Sequence, residues 1–143
     1  MDNGAGKLVT IFGGSGFIGR YLVRALAKQG WRVRVAVRRP DVVGYLQPMG
    51  NVGQIKPVFA NVRSAESVRA AISHADAVVN LVGILSERGK QSFEAVQAEG
   101  TRNIAEAVRD AGITRFVQMS AIGADEASES AYAQSKARGE AAA

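Results

Sequence analysis

The fold is decided by Phe12-Gly13-Gly14-Ser15-Gly16-Phe17-Ile18-Gly19. This stretch joins an apolar run, which predicts a strand over Lys7–Phe12, to a segment of helical periodicity that predicts a helix over Phe17–Gln29. Gly13 permits a tight turn, Gly16 lets backbone N–H groups approach a pyrophosphate, and Gly19 lets the helix pack closely on the strand. The free N–H groups and the positive end of the helix dipole would then face an anion. The alternative is a glycine-rich turn without a ligand.

The rest of the chain alternates strand patterns with helix patterns and contains no internal repeat. Pro57 restricts the third strand to a sheet edge or a short length, and the crossover over Pro40–Gly53 is expected to be irregular. Strands that alternate with crossover helices predict an α/β, doubly wound parallel sheet of about five strands, the Rossmann fold, in one domain over residues 1–143. The later strands are predicted over Trp31–Val37, Gln54–Phe59, Ala77–Leu81 and Arg115–Met119.

Each predicted helix carries an apolar face. In the first helix this face comprises Ile18, Leu22, Ala25 and Leu26, and the basic residues Arg20, Arg24 and Lys28 are expected to be exposed. The second helix is predicted from the N-cap Ser64 to Ser73, with Val68, Ala71 and Ile72 inside. A long helix capped by Ser92 and ended by Gly112 follows, with its stripe at Phe93, Val96, Gly100, Ile104, Ala107 and Ala111; an acidic loop over Ala124–Ser130 leads to a last helix from about Ala131.

Composition favours a globular protein in a reducing compartment. The chain has 143 residues, 47% of them hydrophobic, and no cysteine, so disulfides and cysteinyl metal sites are excluded. No metal site is predicted around His74, the single histidine. No segment reaches the roughly 20 apolar residues of a membrane span, and no signal peptide is expected. The net charge of +5 comes from dispersed basic residues without interleaved aromatics, so nucleic-acid binding is not predicted.

The end of the second strand indicates which dinucleotide binds. In this fold an acidic residue there contacts the ribose 2′-hydroxyl of NAD, whereas arginine pairs with the 2′-phosphate of NADP. Here the strand ends in Val37-Arg38-Arg39, with no carboxylate before Asp41. We therefore expect NADP(H) to be preferred over NAD(H), with Arg38 the better candidate. The alternative is two solvated surface arginines.

A second group of candidate residues follows the fifth strand. Tyr132 and Lys136 are four residues apart on a predicted helix, so their side chains share one face. An ammonium group beside a phenol lowers its pKa, so Tyr132 could give a proton to a carbonyl that receives hydride. Ser120, at the carboxyl end of the fifth strand, would hydrogen-bond the same oxygen.

Together these motifs resemble those of the extended and atypical short-chain dehydrogenases/reductases, the NAD-dependent epimerase/dehydratase type. Within that family the chain looks most like bacterial relatives of the nucleotide-binding accessory subunit of respiratory complex I. The resemblance covers nearly the whole chain. Its motifs are the glycine stretch, Asn61-Val62, Val79-Asn80-Leu81-Val82-Gly83, Gly100-Thr101, Met119-Ser120 and Tyr132-Ala133-Gln134-Ser135-Lys136 with Glu140.

The resemblance implies a role for each matched residue. Asn61 and Val62 would lie against the adenine, and the run from Asn80 to Gly83 would line the ribose and nicotinamide. Lys136 would also bond the nicotinamide ribose. The implied catalytic set is Ser120, Tyr132 and Lys136, and the implied cofactor-binding set is Gly13, Gly14, Ser15, Gly16, Phe17, Ile18, Gly19, Arg38, Arg39, Asn61, Val62, Asn80, Leu81, Val82, Gly83, Tyr132 and Lys136.

Three departures from the family pattern leave two functions open. Phe12 replaces a frequent threonine, Gln97 stands where many relatives carry a helix asparagine, and the C-terminal substrate region is expected to be lacking. One function is an oxidoreductase or epimerase that moves hydride between nicotinamide and a carbonyl or alcohol. The other is a non-catalytic NADPH-binding accessory subunit of a complex I type assembly. The resemblance implies a homodimer or a larger membrane-associated complex, in the cytoplasm or peripheral on the cytosolic face of the inner membrane.

Overall fold

The predicted strands form one parallel sheet with helices on both faces. The computed structural model describes residues 6–14, 16–82 and 98–119. Within these ranges the strands lie in the order β3-β2-β1-β4-β5, and every neighbouring pair is parallel. The strands are β1 (Leu8–Phe12), β2 (Arg32–Val37), β3 (Ile55–Phe59), β4 (Ala77–Asn80) and β5 (Arg115–Gln118), and the helices are α1 (Phe17–Lys28), α2 (Ala65–Ala71) and α3 (Gly100–Asp110).

Two apolar cores lie on opposite faces of the sheet. All five residues of β1 and all four of β4 are buried, as expected for parallel strands covered on both faces. One core packs Val9, Ile11 and Val35 under Val23 of α1. The other packs Phe12, Ala36 and Val78 under α2 and α3, with Val68 and Ile104 fully buried. The doubly wound fold class is therefore confirmed.

The position of β3 agrees with the prediction from Pro57. Because proline lacks an N–H, it interrupts a ladder in the middle of a sheet. Among the described strands, β3 does lie at one edge, where it pairs with β2. The crossover before β3 was expected to be irregular, but it contains two short 3-10 helices, Pro40–Val42 and Gly44–Met49. Burial of Val43 and Leu46 against the core beneath α1 explains this added order.

The buried face of α1 differs from the prediction. Gly19, Val23 and Ala27 face the sheet, Leu22 and Leu26 are half-buried, and the expected core residues Ile18 and Ala25 are exposed. The contact at Gly19 sets this rotation. Gly19 lies against the backbone of Gly14, and Val23 and Ala27, which follow at four-residue spacing, therefore face the sheet. In α3 the buried residues include Thr101 and Val108, and the predicted core residue Ala111 is exposed beyond the end of the helix.

A half-buried arginine, Arg34, joins β2 to the end of α2. Arg34 Nη1 donates to the carbonyl oxygens of Ala71 at 2.6 Å and Ser73 at 2.9 Å. Burial lowers the pKa of Arg34 from its ordinary value, and the positive charge of Arg32 lowers it further. Within the described ranges, no helix combines the length and apolar character needed to cross a bilayer.

Candidate functional site

The glycine turn lies where the chain connections leave the sheet in opposite directions. From the end of β1 the chain crosses to β2, whereas β4 is the neighbour of β1 on the other side. Gly13 N–H donates to the carbonyl of Ala36 at 3.3 Å, and Leu81 N–H donates to the carbonyl of Phe12 at 2.8 Å. The turn is thus joined to both neighbouring strands at their carboxyl ends. In open α/β sheets, ligands bind in the crevice at such a switch point.

Gly13 and Gly14 are required by the packing of the turn itself. Gly13 has φ +79°, and a Cβ there would lie 3.0 Å from the backbone carbon of Leu81 and the backbone nitrogen of Val82. Gly14 is buried, and a Cβ there would lie 3.1 Å from Val35 Cγ1. These contacts are tighter than ordinary packing, so both glycines have a structural reason that involves no ligand.

Gly19 and Gly16 differ in what a side chain would meet. A Cβ at Gly19 would lie 2.6 Å from the backbone of Gly14, so this position is closed to any other residue. At Gly16 the nearest atom would be the carbonyl oxygen of Gly13 at 3.6 Å, which is ordinary van der Waals contact. The fold therefore accommodates alanine at Gly16. The lack of a side chain at Gly16 leaves this backbone accessible to the close approach of a ligand.

The backbone at the start of α1 has N–H groups that could donate hydrogen bonds to an anion. The N-cap Gly16 makes no side-chain capping bond, and the first turn holds no acidic residue. The first N–H bonded within the helix is that of Arg20, to Gly16 O at 3.0 Å. The N–H groups of Phe17, Ile18 and Gly19 precede it and have no intrahelical acceptor. Both features favour a phosphate at this helix end, where the dipole is positive.

The two arginines after β2 are not equivalent. Arg39 Nη2 pairs with Asp41 Oδ2 at 3.1 Å on the surface. Arg38 is exposed and has no hydrogen bond or ion pair with the described part of the chain. Gly13 N–H is bonded to Ala36 O, and Arg38 lies two residues after Ala36, directly beyond the end of β2. Of the two, Arg38 is free to accept an added anionic group.

The loop after β3 is held by side chains on both sides. Asn61 Oδ1 accepts from Arg63 N–H at 3.0 Å, and Asn61 N–H donates to Ser67 Oγ at 2.9 Å. Val62 O accepts from Asn103 Nδ2 of α3 at 2.9 Å. The predicted adenine residues thus occupy a fixed loop beside the carboxyl end of β2, since Ala60 N–H donates to Val37 O at 2.9 Å.

Asn80 holds together the carboxyl ends of β4 and β5. Its side chain is 1% exposed and donates to Gln118 Oε1 at 2.8 Å and to Thr101 Oγ1 at 3.3 Å. Its Oδ1 accepts from Val82 N–H at 3.0 Å. The geometry therefore places the side chain of Asn80 inside the protein, and the adjacent backbone of Leu81 and Val82 against the glycine turn.

The structure brings together the glycine turn, the ends of β2 and β4, and the loop that contains Asn61. The glycine turn contacts the ends of β2 and β4, and the loop containing Asn61 adjoins β2. The predictions for Ser15, Gly83, Ser120, Tyr132 and Lys136 lie outside the described residues, as does Gln97.

Three supporting residues were not found from the sequence. Asn103 anchors Val62, and Thr101 and Gln118 surround Asn80. Thr101 belonged to a motif of the family resemblance, without an assigned role. Asn103 and Gln118 carried no signal, because each partner is at least 38 residues away in the chain.

Comparison with known proteins decides the class of ligand. The family model described as NAD(P)H-binding matches residues 13–142. The chain is an NAD(P)H-binding domain. It belongs to the short-chain dehydrogenase/reductase and epimerase type, as the motifs indicated. The match begins at Gly13, the first glycine of the turn described above.

The NAD(P)H-binding domain has curated relatives of two kinds. It is 36% identical over 135 residues to the mitochondrial NADH-ubiquinone oxidoreductase 40 kDa subunit of Neurospora crassa, covering 94% of this chain and 36% of that protein. It is 37% identical over 140 residues to a ceramide reductase of Caulobacter vibrioides, covering 98% of this chain and 43% of that protein. The domain thus spans less than half the length of each relative.

The fold comparison agrees. A short-chain dehydrogenase/reductase of Serratia marcescens superposes with a TM-score of 0.73 at 21% sequence identity, and the match covers 94% of this chain and 64% of that one. At this identity the likeness establishes the fold alone.

Proposed function

We propose that the NAD(P)H-binding domain prefers NADP(H), and that Arg38 binds the 2′-phosphate. The observation that carries this proposal is the exposed guanidinium of Arg38, which makes no hydrogen bond or ion pair with the described residues and follows the strand joined to the glycine turn. A guanidinium forms charge-assisted bonds with a phosphate, and the end of the second strand carries no carboxylate before Asp41 to repel one. Asp41 is itself paired with Arg39, which reduces both its repulsion and the availability of Arg39.

The glycine turn fits the pyrophosphate of such a cofactor. Gly16 has no side chain to cover the turn, and the N–H groups of Phe17 and Ile18 supply donors at the positive end of α1. The side chains of Phe17 and Ile18 are 75% and 52% exposed, so these residues would contribute through their backbone. Asn61 and Val62 would lie along the adenine in the loop held by Ser67 and Asn103.

We further propose that Ser120, Tyr132 and Lys136 form a catalytic set. The bound dinucleotide supplies or accepts the hydride. Tyr132 would transfer the proton to or from the substrate oxygen, Ser120 would hydrogen-bond that oxygen, and Lys136 would lower the pKa of the phenol. The order of these residues after the fifth strand and the identity to a ceramide reductase support this role.

The second candidate is a non-catalytic accessory subunit that binds NADPH within a complex I type assembly. It is favoured by 36% identity to the 40 kDa subunit from Neurospora crassa and by Gln97 in place of the usual asparagine. In this role the domain would be peripheral to a membrane on its cytosolic face, or would assemble as a homodimer. The cofactor would then stabilise the fold.

Cofactor titration followed by thermal melting tests the preference. At about 100 times its dissociation constant, a ligand adds about 2.7 kcal/mol of stability. NADPH should stabilise the wild type well beyond NADH at the same concentration. Arg38→Ser should weaken NADPH binding about tenfold or more and leave NADH binding unchanged, because only NADPH carries the lost partner. Arg39→Ser is the matched control and should have a smaller effect. Equal stabilisation by both cofactors would refute the assignment of Arg38.

Tyr132→Phe distinguishes the two functions. If the domain is catalytic, the variant should bind NADPH like the wild type and lose turnover of carbonyl substrates. If it is an accessory subunit, the wild type should show no turnover beyond that of Tyr132→Phe, and cofactor-dependent stability should be the same in both.

A further inference from the structure

Hydrogen bonds within residues 61–67 fix the shape of the loop between β3 and α2. Asn61 Oδ1 accepts from Arg63 N–H at 3.0 Å, and Asn61 N–H donates to Ser67 Oγ at 2.9 Å. Asn61 O accepts from Ser64 N–H at 3.0 Å. All three bonds would move with the loop if it shifted as a unit. The position of the loop relative to the sheet therefore depends on contacts with other elements.

A side chain in the first turn of α3 supplies such a contact. Asn103 Nδ2 donates to Val62 O at 2.9 Å, and the two residues are 41 positions apart in the chain. The side chain of Val62 also packs against the core beneath α2 and α3. Asn103 thus holds the peptide group after Val62 in one orientation, and the N–H of Val62, on the preceding peptide group, is fixed with it.

The loop presents hydrogen-bonding groups that suit the edge of an adenine ring. Val62 is half-buried, and its N–H makes no hydrogen bond with the described residues. A carboxamide oxygen has two lone pairs, and the bond from Arg63 N–H uses one of those on Asn61 Oδ1. A donor and an acceptor on adjacent residues match N1 and the 6-amino group of adenine, which lie on the edge by which proteins read this base.

We propose that Asn103 is a positioning residue for adenine recognition, an inference that rests on the proposed function, in which Asn61 and Val62 lie along the adenine. Asn103 contacts the loop and not the base. By holding Val62 O, it keeps the donor and the acceptor in place before the cofactor arrives, so binding does not have to order the loop. The end of β4 is supported separately, through Asn80 and Thr101, which confines the effect of Asn103 to the adenine side.

Binding of NADPH and of its analogue with hypoxanthine in place of adenine tests this role. Hypoxanthine carries hydrogen at N1 and oxygen at position 6, so it reverses both groups of the ring edge and leaves the 2′-phosphate and pyrophosphate unchanged. In fluorescence titration the wild type should bind NADPH about fivefold more tightly than the analogue. Asn103→Ala should weaken NADPH binding about fivefold, the effect of one hydrogen bond, and should leave binding of the analogue almost unchanged.

Two more variants keep the test specific. Glu106→Ala changes an exposed position one turn further along α3, so it is the matched control and should bind both dinucleotides like the wild type. Asn103→Leu keeps the bulk of the side chain without the donor and should show the same selective loss as Asn103→Ala. Thermal melting without ligand checks that each variant is folded. Equal losses for NADPH and the analogue would overturn the proposal, because Asn103 would then act on the fold as a whole. A wild type that binds the two dinucleotides alike would also overturn it.

Failure of the Arg38 assignment would give a different pattern. Arg38→Ser should weaken binding of NADPH and of the hypoxanthine analogue by the same factor, because both carry the 2′-phosphate. No effect of Arg38→Ser would contradict the proposed preference for NADP(H). The selective effect of Asn103→Ala would remain in that case and would support adenine positioning by itself.

Discussion

Alanine substitutions at Gly16, the N-cap of α1, and at Gly19, in its first turn, should affect stability and cofactor binding differently. At Gly19 the new Cβ would lie 2.6 Å from the Gly14 backbone and 2.7 Å from Gly13 O. Overpacking costs about 1–3 kcal/mol, and backbone neighbours that cannot move away place this site at the upper end. Alanine recovers about 1 kcal/mol of helix propensity. Gly19→Ala should therefore lower the free energy of unfolding by about 2 kcal/mol, or roughly 6 °C in melting temperature.

Gly16→Ala should leave stability almost unchanged and remove cofactor binding. Its Cβ would stand 3.6 Å from the nearest atom, Gly13 O. Alanine is a poorer N-cap than glycine by roughly 0.5–1 kcal/mol, but it reduces the entropy of the unfolded chain by a similar amount. If the Cβ raises the NADPH dissociation constant about 100-fold, a concentration that stabilised the wild type by about 2.7 kcal/mol will stabilise the variant by about 0.4 kcal/mol.

Thermal melting with and without NADPH measures both effects. Gly44→Ala is a suitable control, because a Cβ there would lie 4.0 Å from Gln47 Oε1 and outside the glycine turn. It should keep the full response to NADPH. A Gly16→Ala variant that is stabilised like the wild type would refute the argument that this glycine serves the ligand. A Gly19→Ala variant that melts at the wild-type temperature would refute the packing argument.

Three further substitutions test other parts of the structure. Asp41→Asn should leave stability nearly unchanged, because an exposed ion pair contributes about 0–1 kcal/mol, and should raise NADPH affinity a few-fold in fluorescence titration by releasing Arg39. His74 has φ +62°, so His74→Gly should raise the melting temperature by about 3 °C in calorimetry, whereas His74→Ala should not. Asn80→Ala should lower the free energy of urea unfolding by about 3 kcal/mol, because it leaves buried partners such as Gln118 unsatisfied; a loss below about 1 kcal/mol would contradict this.

Much of the fold followed from local sequence patterns. Apolar runs predicted each strand. Helical periodicity, with glycines beside α1 and the N-cap Ser64 before α2, predicted these helices to within a few residues of Phe17–Lys28 and Ala65–Ala71. Pro57 correctly indicated an edge strand because a missing N–H is a local property. The predicted buried face of α1 was wrong. Glycine was not counted as a core residue in that prediction, although the close contact at Gly19 sets the rotation of the helix.

The candidate site was only partly accessible to such reasoning. The sequence identified the glycine turn and the two arginines, but not which glycine is free of packing or which arginine is paired. Asn103 and Gln118 showed no pattern at all, because their contacts to Val62 and Asn80 exist only after distant segments meet.

By itself, the sequence determined the strand and helix order, the parallel doubly wound sheet and the dinucleotide-binding motif. These depend on residue type and on spacing along a few turns of chain. Tertiary structure alone decided that a Cβ fits at Gly16 but not at Gly19, that Arg39 is paired, and that the side chain of Asn80 is buried. These features depend on distances between atoms that the strand order brings together. The local sequence around each residue does not indicate which distant segment it will contact.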